Sequence, residues 1–467
     1  MNGKDILMGL SDISDELVEE AETRHLKKPF PLKHWLALAA CLCLIVGLGS
    51  LFAPGFFGAK AMDSAAPENG MAMETMAESP LFNRPESEAV EIDRNTSLSR
   101  QEPAEALTDF GIHLLQNIPA NGQNTLVSPL SVIYALGMTA NGARGETLAQ
   151  MENTLGVPAA ALNEWLLQYT RQLSQEDGSR LLPANGIWYR SSCFTPGEAF
   201  LEVNRKYYQA EIHGSDFGPE TPAQVNNWVS EKTLGMIPSI LDQIQPEDMM
   251  YLINALAFEG EWEVPYTELD VGSGNFHTET GLTRQVEFLR GKEHAYLQGE
   301  QFTGFIKYYT DRRYAFVALL PNEGTSVEDL VASLNGQELR QLLANPEYVS
   351  VYTSIPKFKA ETTLELTPVL KNMGMELPFE AGKADFSLMG SSAANENPHI
   401  SRIVHKTFLR LDELGTRAGA ATAVMMNTTG LITDYKTVDL DRPFVYMLVD
   451  CEQQLPFFIG CLMDPEA

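Results

Sequence analysis

Residues 412–431 read DELGTRAGAATAVMMNTTGL, and the fold turns on what such a stretch is for. From Gly415 to Thr429 it is mostly small or β-branched, and Arg417 is the one charge. It has too few large apolar groups to form a core, and it lacks the Pro, Lys and Glu that keep a linker soluble. Read as a strand, its residues alternate between two faces. One face holds Thr416, Ala418, Ala420, Thr422, Val424, Met426 and Thr428; the other holds Arg417, Gly419, Ala421, Ala423, Met425 and Asn427. The first face carries no charge and can enter a packed interior without leaving an ion unpaired. Arg417 stays on the opposite, solvent side. Gly415 sits where the chain must swing, and glycine accepts unusual backbone angles. The composition suits a segment that is an exposed loop in one state and a buried strand in another. An Ala-rich helix over 417–426 is the competing local reading.

The rest of the chain narrows the choice. At 467 residues it is long enough for two or three domains, or for one large domain with extensions. A formal net charge of −29 argues against a nucleic-acid partner, which needs a basic footprint. The five cysteines form no CxxC pair or dense framework, so neither a zinc site nor a disulfide scaffold is indicated, and buried free thiols are expected. No GxSxG, HExxH, phosphate-cradling loop or dinucleotide fingerprint occurs. His405 reads as a core histidine satisfied by its neighbours. No catalytic residues, metal or cofactor are expected, and the chain is not read as an enzyme.

Near the N-terminus, residues 35–57 (WLALAACLCLIVGLGSLFAPGFF) carry no charge. The first 19 of them make a helix of about 28 Å, close to the bilayer's hydrocarbon thickness. Arg24, Lys27, Lys28 and Lys33 precede this run and an acidic region follows, which places 1–34 in the cytoplasm and all after 57 outside. A cleaved signal peptide is the alternative, but the long segment before the apolar run favours an uncleaved anchor. LAAC at Leu38–Cys41 resembles a lipoprotein box but lies early in the run. Ile6, Leu10, Ile13 and Leu17 give an amphipathic helix from about Ile6 to Ala21. Residues 58–102 read as an extended linker, and 103–467 as the globular domain.

That domain opens with helical signals. Ser128-Pro129 caps a helix through SVIYALGMTANGA, and 226–239 and 362–374 are also helix-like. Strand signals dominate later: IWYR, MMYLINALAFEGEW, TGFIKYY, YAFVALLP, EYVSVYTSIPKFKA, RPFVYMLVD and LPFFIGCLM. Helices first and strands later, without strict alternation, indicate an α+β protein with large sheets.

Together these segments resemble one family, the serpins. NTLVSPLSVIYALGMTANGARGETLAQM (124–151) looks like the family's helix B and the helix after it. VNNWVSEKTLGMIPSIL (225–241) is similar to its INxWVxxxTxGxI motif, and LINALAFEGEW (252–262) to LVNAIYFKGxW, with Glu259 in place of lysine. IPKFKAETTLEL, LKNMGMELPFE and ADFSLM match in order and spacing. HISRIVHKTFLRLDELGTRAGAATA (399–423) matches the strand, hinge and reactive loop. The resemblance implies N-terminal helices, a large central sheet with two further sheets, and an exposed reactive loop. It implies a shutter of Ser128, Ser131, Asn254 and His405 that gates the sheet, and a breach at Trp262 where the loop first enters. The hinge it implies is Glu413, Gly415, Thr416, Ala418, Ala420, Ala421 and Thr422.

The family's activity is suicide inhibition: a serine protease attacks the loop, forms an acyl-enzyme, and is trapped covalently as the loop inserts. Counting in the family's register from Glu413 places the reactive bond between Thr429 and Gly430, with Met426, Asn427 and Thr428 as competing positions. A small β-branched residue there suits elastase-like or subtilisin-like pockets. Leu414 stands where the hinge is usually polar, and Gly419 replaces one alanine. The resulting expectation is a monomeric, membrane-anchored bacterial inhibitor with its serpin domain outside the cell; a non-inhibitory surface binding or carrier module is the alternative.

Overall fold

The computed structural model describes residues 103–173, 179–246, 248–394, 397–416 and 434–466. The expected cytoplasmic segment, the apolar run 35–57 and the linker lie outside these residues, as do Ala418, Ala420, Ala421, Thr422, Thr429 and Gly430. Among the described residues, no helix is long and apolar enough to cross a membrane.

Four helices come early: α1 (Pro103–Asn117), α2 (Pro129–Ala140), α3 (Gly145–Leu155) and α4 (Ala159–Gln172). The cap read from Ser128-Pro129 is real. The Ser128 hydroxyl accepts from the Ser131 backbone N–H at 3.2 Å, and Pro129 opens the helix where no donor is needed. Helices α5 (Glu198–Tyr208), α6 (Thr221–Lys232), α7 (Val327–Ser333), α8 (Gly336–Ala344) and α9 (Thr367–Asn372) follow.

Two predicted helical stretches are corrected. The pattern over 226–239 stops at Lys232, because Leu234 (φ 54°) and Gly235 (φ 77°) are left-handed and end the helix. The pattern over 362–374 divides. Residues 362–365 (TTLE) are strand, all four paired with a neighbouring strand, and the helix starts at Thr367 with Pro368 in its first turn.

The strands are β1 (Thr125–Val127), β2 (Ser179–Arg190), β3 (Phe194–Pro196), β4 (Glu211–Ser215), β5 (Met250–Glu261), β6 (Val271–His277), β7 (Thr283–Gln298), β8 (Phe302–Tyr308) and β9 (Tyr314–Pro321). Then come β10 (Glu347–Pro356), β11 (Phe358–Glu365), β12 (Gly390–Ser392), β13 (Val404–Leu411), β14 (Gly415–Thr416), β15 (Tyr435–Asp439), β16 (Phe444–Asp450) and β17 (Leu455–Leu462). They form three sheets. A nine-stranded sheet runs β1-β17-β16-β9-β8-β7-β10-β15, with β6 also on β7. A six-stranded sheet runs β11-β13-β14-β5-β2-β4, and β3 pairs with β12. The sheet that carries Gly415 and Thr416 is therefore the six-stranded one, not the one with most strands.

Strands β16 and β17 are buried along their whole length. That is why RPFVYMLVD and LPFFIGCLM read as unbroken apolar runs and not as alternating ones. Helices α1 and α2 cover β17. The described cysteines are free thiols; Cys461 is buried, whereas Cys193 and Cys451 are half-buried, less enclosed than expected.

Candidate functional site

β13 ends at Leu411, and the chain turns back at once as β14. The turn is held locally: the Asp412 N–H donates to the Gly415 carbonyl at 3.0 Å, and the Leu414 N–H to the Asp412 carboxylate at 3.1 Å. An aspartate bonding the backbone two residues on is a standard way to build so tight a turn. β14 then lies between β13 and β5, antiparallel to both, with Thr416 opposite Leu411 on one side and Gly260 on the other. Gly415 has φ 153°, and a Cβ there would lie 1.9 Å from the Gly260 carbonyl oxygen. Only glycine fits this approach.

Thr416 is 3% exposed. Its hydroxyl shares a 2.6 Å hydrogen bond with the Tyr309 hydroxyl, and burial pushes the Tyr309 phenol well above its ordinary range. Tyr309 stacks on Trp262 at 4.5 Å between ring centroids. Trp262 holds the turn twice, its backbone N–H donating to the Leu414 carbonyl (2.9 Å) and its indole N–H to the Asp412 carbonyl (3.0 Å). The departure at Leu414 is tolerated because this contact uses its backbone.

Two cations complete the seat. Lys307 is buried against the rings of Tyr266 (4.4 Å) and Trp262 (5.2 Å), and it donates to Glu293 (2.8 Å) and the Val264 carbonyl (3.1 Å). A desolvated ammonium over aromatic faces is stable only when paired in this way. Lys357 bonds Glu413 at 2.7 Å. Burial pushes the Glu413 carboxyl up, but the bond and charge of Lys357, a backbone hydrogen bond and the charge of Arg410 together hold the group below its ordinary value. The Glu413 carbonyl accepts from the Tyr266 N–H at 2.9 Å. At Glu259, where a lysine was expected, the carboxylate pairs with Arg180 from β2.

Six residues along each strand, the register that sets Thr416 between Leu411 and Gly260 reaches His405 on β13 and Asn254 on β5. His405 Nε2 accepts from the Ser128 N–H at 2.9 Å, so the ring is neutral with its proton on Nδ1. Burial pushes its pKa down to about 4. The Ser128 hydroxyl donates to the Phe457 carbonyl at 2.8 Å, tying α2 to β17. Ser128 thus contacts both His405 and Ser131. Asn254 bonds elsewhere: its Nδ2 donates to Asn185 Oδ1 on β2 at 2.9 Å, and Asn185 donates onward to the Tyr208 carbonyl at 2.8 Å. That chain fixes both amides, and Asn254 Oδ1 is buried with no partner among the described residues. Ser131, Asn254 and His405 also line a cavity of about 200 Å³ between the lower parts of β5 and β13.

Glu413, Gly415, Thr416 and Trp262 thus converge at one end of the sheet, and the Ser128–His405 group lies below. The remaining hinge residues and the Thr429–Gly430 bond fall outside the described residues. Sequence reasoning missed Tyr309, Lys307, Lys357 and Asn185. The one available signal was Lys307 at an alternate position between Phe305 and Tyr309 in the apolar stretch TGFIKYY, which puts a lysine between two aromatic residues on one face.

The serpin (serine protease inhibitor) family model matches residues 105–465. The native-state crystal structure of the thermophilic serpin tengpin is 42% identical, with TM-score 0.74 over 77% of this chain and 94% of that one. An uncharacterized serpin-like protein of Thermococcus kodakarensis is 28% identical over 370 residues, covering 77% of this chain and 85% of its own length. Serpin-Z7 of Hordeum vulgare is 30% identical over 382 residues, covering 77% and 95%. The fold, the hinge seat and this match agree: the chain belongs to the serpin family.

Proposed function

We propose that this serpin is a suicide-substrate inhibitor of elastase-like or subtilisin-like serine proteases, acting as a monomer from an N-terminal membrane anchor at 35–57 with its serpin domain, residues 103–467, outside the cell. The observation that carries the reading is the seat of Thr416, already buried between β5 and β13 with its hydroxyl satisfied. The protease serine attacks the Thr429 carbonyl carbon, the bond to Gly430 breaks, and the Gly430 amine leaves with a proton. Thr429 remains esterified to the enzyme. The freed segment then extends β14 in the same register.

That register sets Ala418, Ala420 and Thr422 on the interior face, with Thr422 level with both His405 and Asn254. None of the three brings a charge, and Arg417 falls on the outer face. Full extension from Thr416 to Thr429 carries the enzyme about 43 Å, at about 3.3 Å per residue. The gain is one ladder of backbone hydrogen bonds and the burial of a small-residue face.

The test mixes the full chain with neutrophil elastase or subtilisin and runs a denaturing gel. A band at the summed mass that survives denaturant is expected, with release of a peptide starting at Gly430. Complete loop cleavage without that band, across both enzyme classes, would overturn inhibition and leave the carrier reading.

A further inference from the structure

Among the described residues, β5 pairs only with β2 and β14, and β13 only with β11 and β14. Below the short β14, therefore, no ladder joins β5 to β13. The next residue along the chain is Arg417, the one charge between Gly415 and Thr429. The pairs that hold Thr416 dictate what Arg417 would meet. One step on in the same register, residue 417 lies opposite Glu259 on β5 and opposite Arg410 on β13. The row continues to Arg180 on β2, opposite Glu259, and to Lys359 on β11, opposite Arg410. These side chains lie on the face turned away from Thr416 and Tyr309, because successive residues of a strand alternate. The row thus holds one acid, Glu259, among three cations, Arg180, Arg410 and Lys359. Lys359 and Arg410 are exposed, and each leans on an acid two residues along its own chain, Glu361 at 3.4 Å and Asp412 at 3.5 Å. Glu259 is the most enclosed of the four, its side chain 20% exposed, and its Oε2 accepts from Arg180. A carboxylate has lone pairs enough for a second guanidinium.

We infer that Glu259 is the receptor for Arg417: held from the β2 side by Arg180, its carboxylate takes the Arg417 guanidinium as the first outward residue of the loop enters, and so pins the register of insertion. In that register Arg417 gains a partner while Thr416 keeps its bond to Tyr309. A slip of one residue would turn Arg417 to the interior and away from Glu259. An acid at 417 would instead stand opposite a like charge, which opposes pairing. Glu259 therefore also decides which charge the sheet accepts at this point of the loop. It is a positioning residue for insertion and touches neither the reactive bond nor the protease. The inference rests on the inhibitor reading.

The test is a charge swap in the full chain, with neutrophil elastase and subtilisin as the proteases. The readout is the ratio of loop-cleaved to covalently trapped chain on a denaturing gel, which reports how each encounter ends and not how often it begins. In Glu259→Lys and in Arg417→Glu that ratio should rise about threefold, the size of one exposed cross-strand ion pair. The double variant should restore the wild-type ratio, which mere loss of the Arg180 pairing would not do. The rise should vanish in 1 M salt, where the screening length is about 3 Å. Glu259→Gln should give a smaller rise of the same sign, and it keeps the test open if a reversed charge unsettles the fold. Unchanged ratios in both single variants, or a double variant in which the two losses simply add, would overturn the pairing while wild-type trapping stands. A wild-type chain that both proteases cleave and neither is trapped by would instead sink the inhibitor reading, and the pairing with it.

Discussion

The two ends of the contact between β5 and β13 are built differently. At the upper end, Thr416 is inserted, and the hydroxyl, indole, ammonium and backbone groups named around it each have a partner. At the level of His405 and Asn254 the same two strands flank a cavity, an unpartnered amide oxygen and a histidine that burial keeps neutral. One end is finished and the other is provisional. Under the proposed mechanism, the difference marks where a strand would begin to enter and where its arrival would still have bonds to make.

The sharpest way to break the contrast is Thr416→Arg, which forces a charge into the finished end. Under the proposed function it should convert the protein from inhibitor to substrate, with the denaturant-stable protease complex lost on a gel; normal trapping would show that the residue's face is misassigned.

Second in size is the provisional end's response to acid. His405 has a folded pKa of about 4 against an ordinary 6.5. Between those values the unfolded chain binds the proton and the folded one does not, so stability is fully retained above pH 6.5 and lost as pH falls toward 4. The loss is about 3 kcal/mol by pH 4. Urea unfolding across this window should show that slope, and His405→Gln should remove it.

Tyr309→Phe, at the finished end, removes the partner of a buried hydroxyl and should cost about 1–3 kcal/mol by the same assay. A cost near zero would mean that Thr416 is held by its backbone alone. The smallest effect is expected from Ala135→Leu on the cavity wall, a gain of about 0.5–2 kcal/mol in the uncleaved form.

Much of this was legible in the chain itself, for a physical reason. A stretch whose alternate residues are small and uncharged announces in one dimension that one face can be buried, and helix caps such as Ser128-Pro129 are equally local. Partners distant in sequence leave no such trace. Tyr309 meets Thr416 across 107 residues, and Asn185 meets Asn254 across 69. Grouping Asn254 with Ser128, Ser131 and His405 said nothing of Asn185, the residue its amide bonds. The over-long helices at 226–239 and 362–374 failed similarly: a left-handed Leu234 and the pairing of β11 with β13 are decided by tertiary context, which overrides local pattern.

The thiols described above have a practical consequence for the chemistry this domain survives. Burial pushes both Cys451 and Cys461 up to about 12. At neutral pH only about one thiol in 100,000 is then the reactive thiolate. Both are poor nucleophiles, slow in thiol exchange, with Cys461 also enclosed by the fold. At those positions the fold makes no demand on the redox state of its surroundings and works alike among reductants and oxidants.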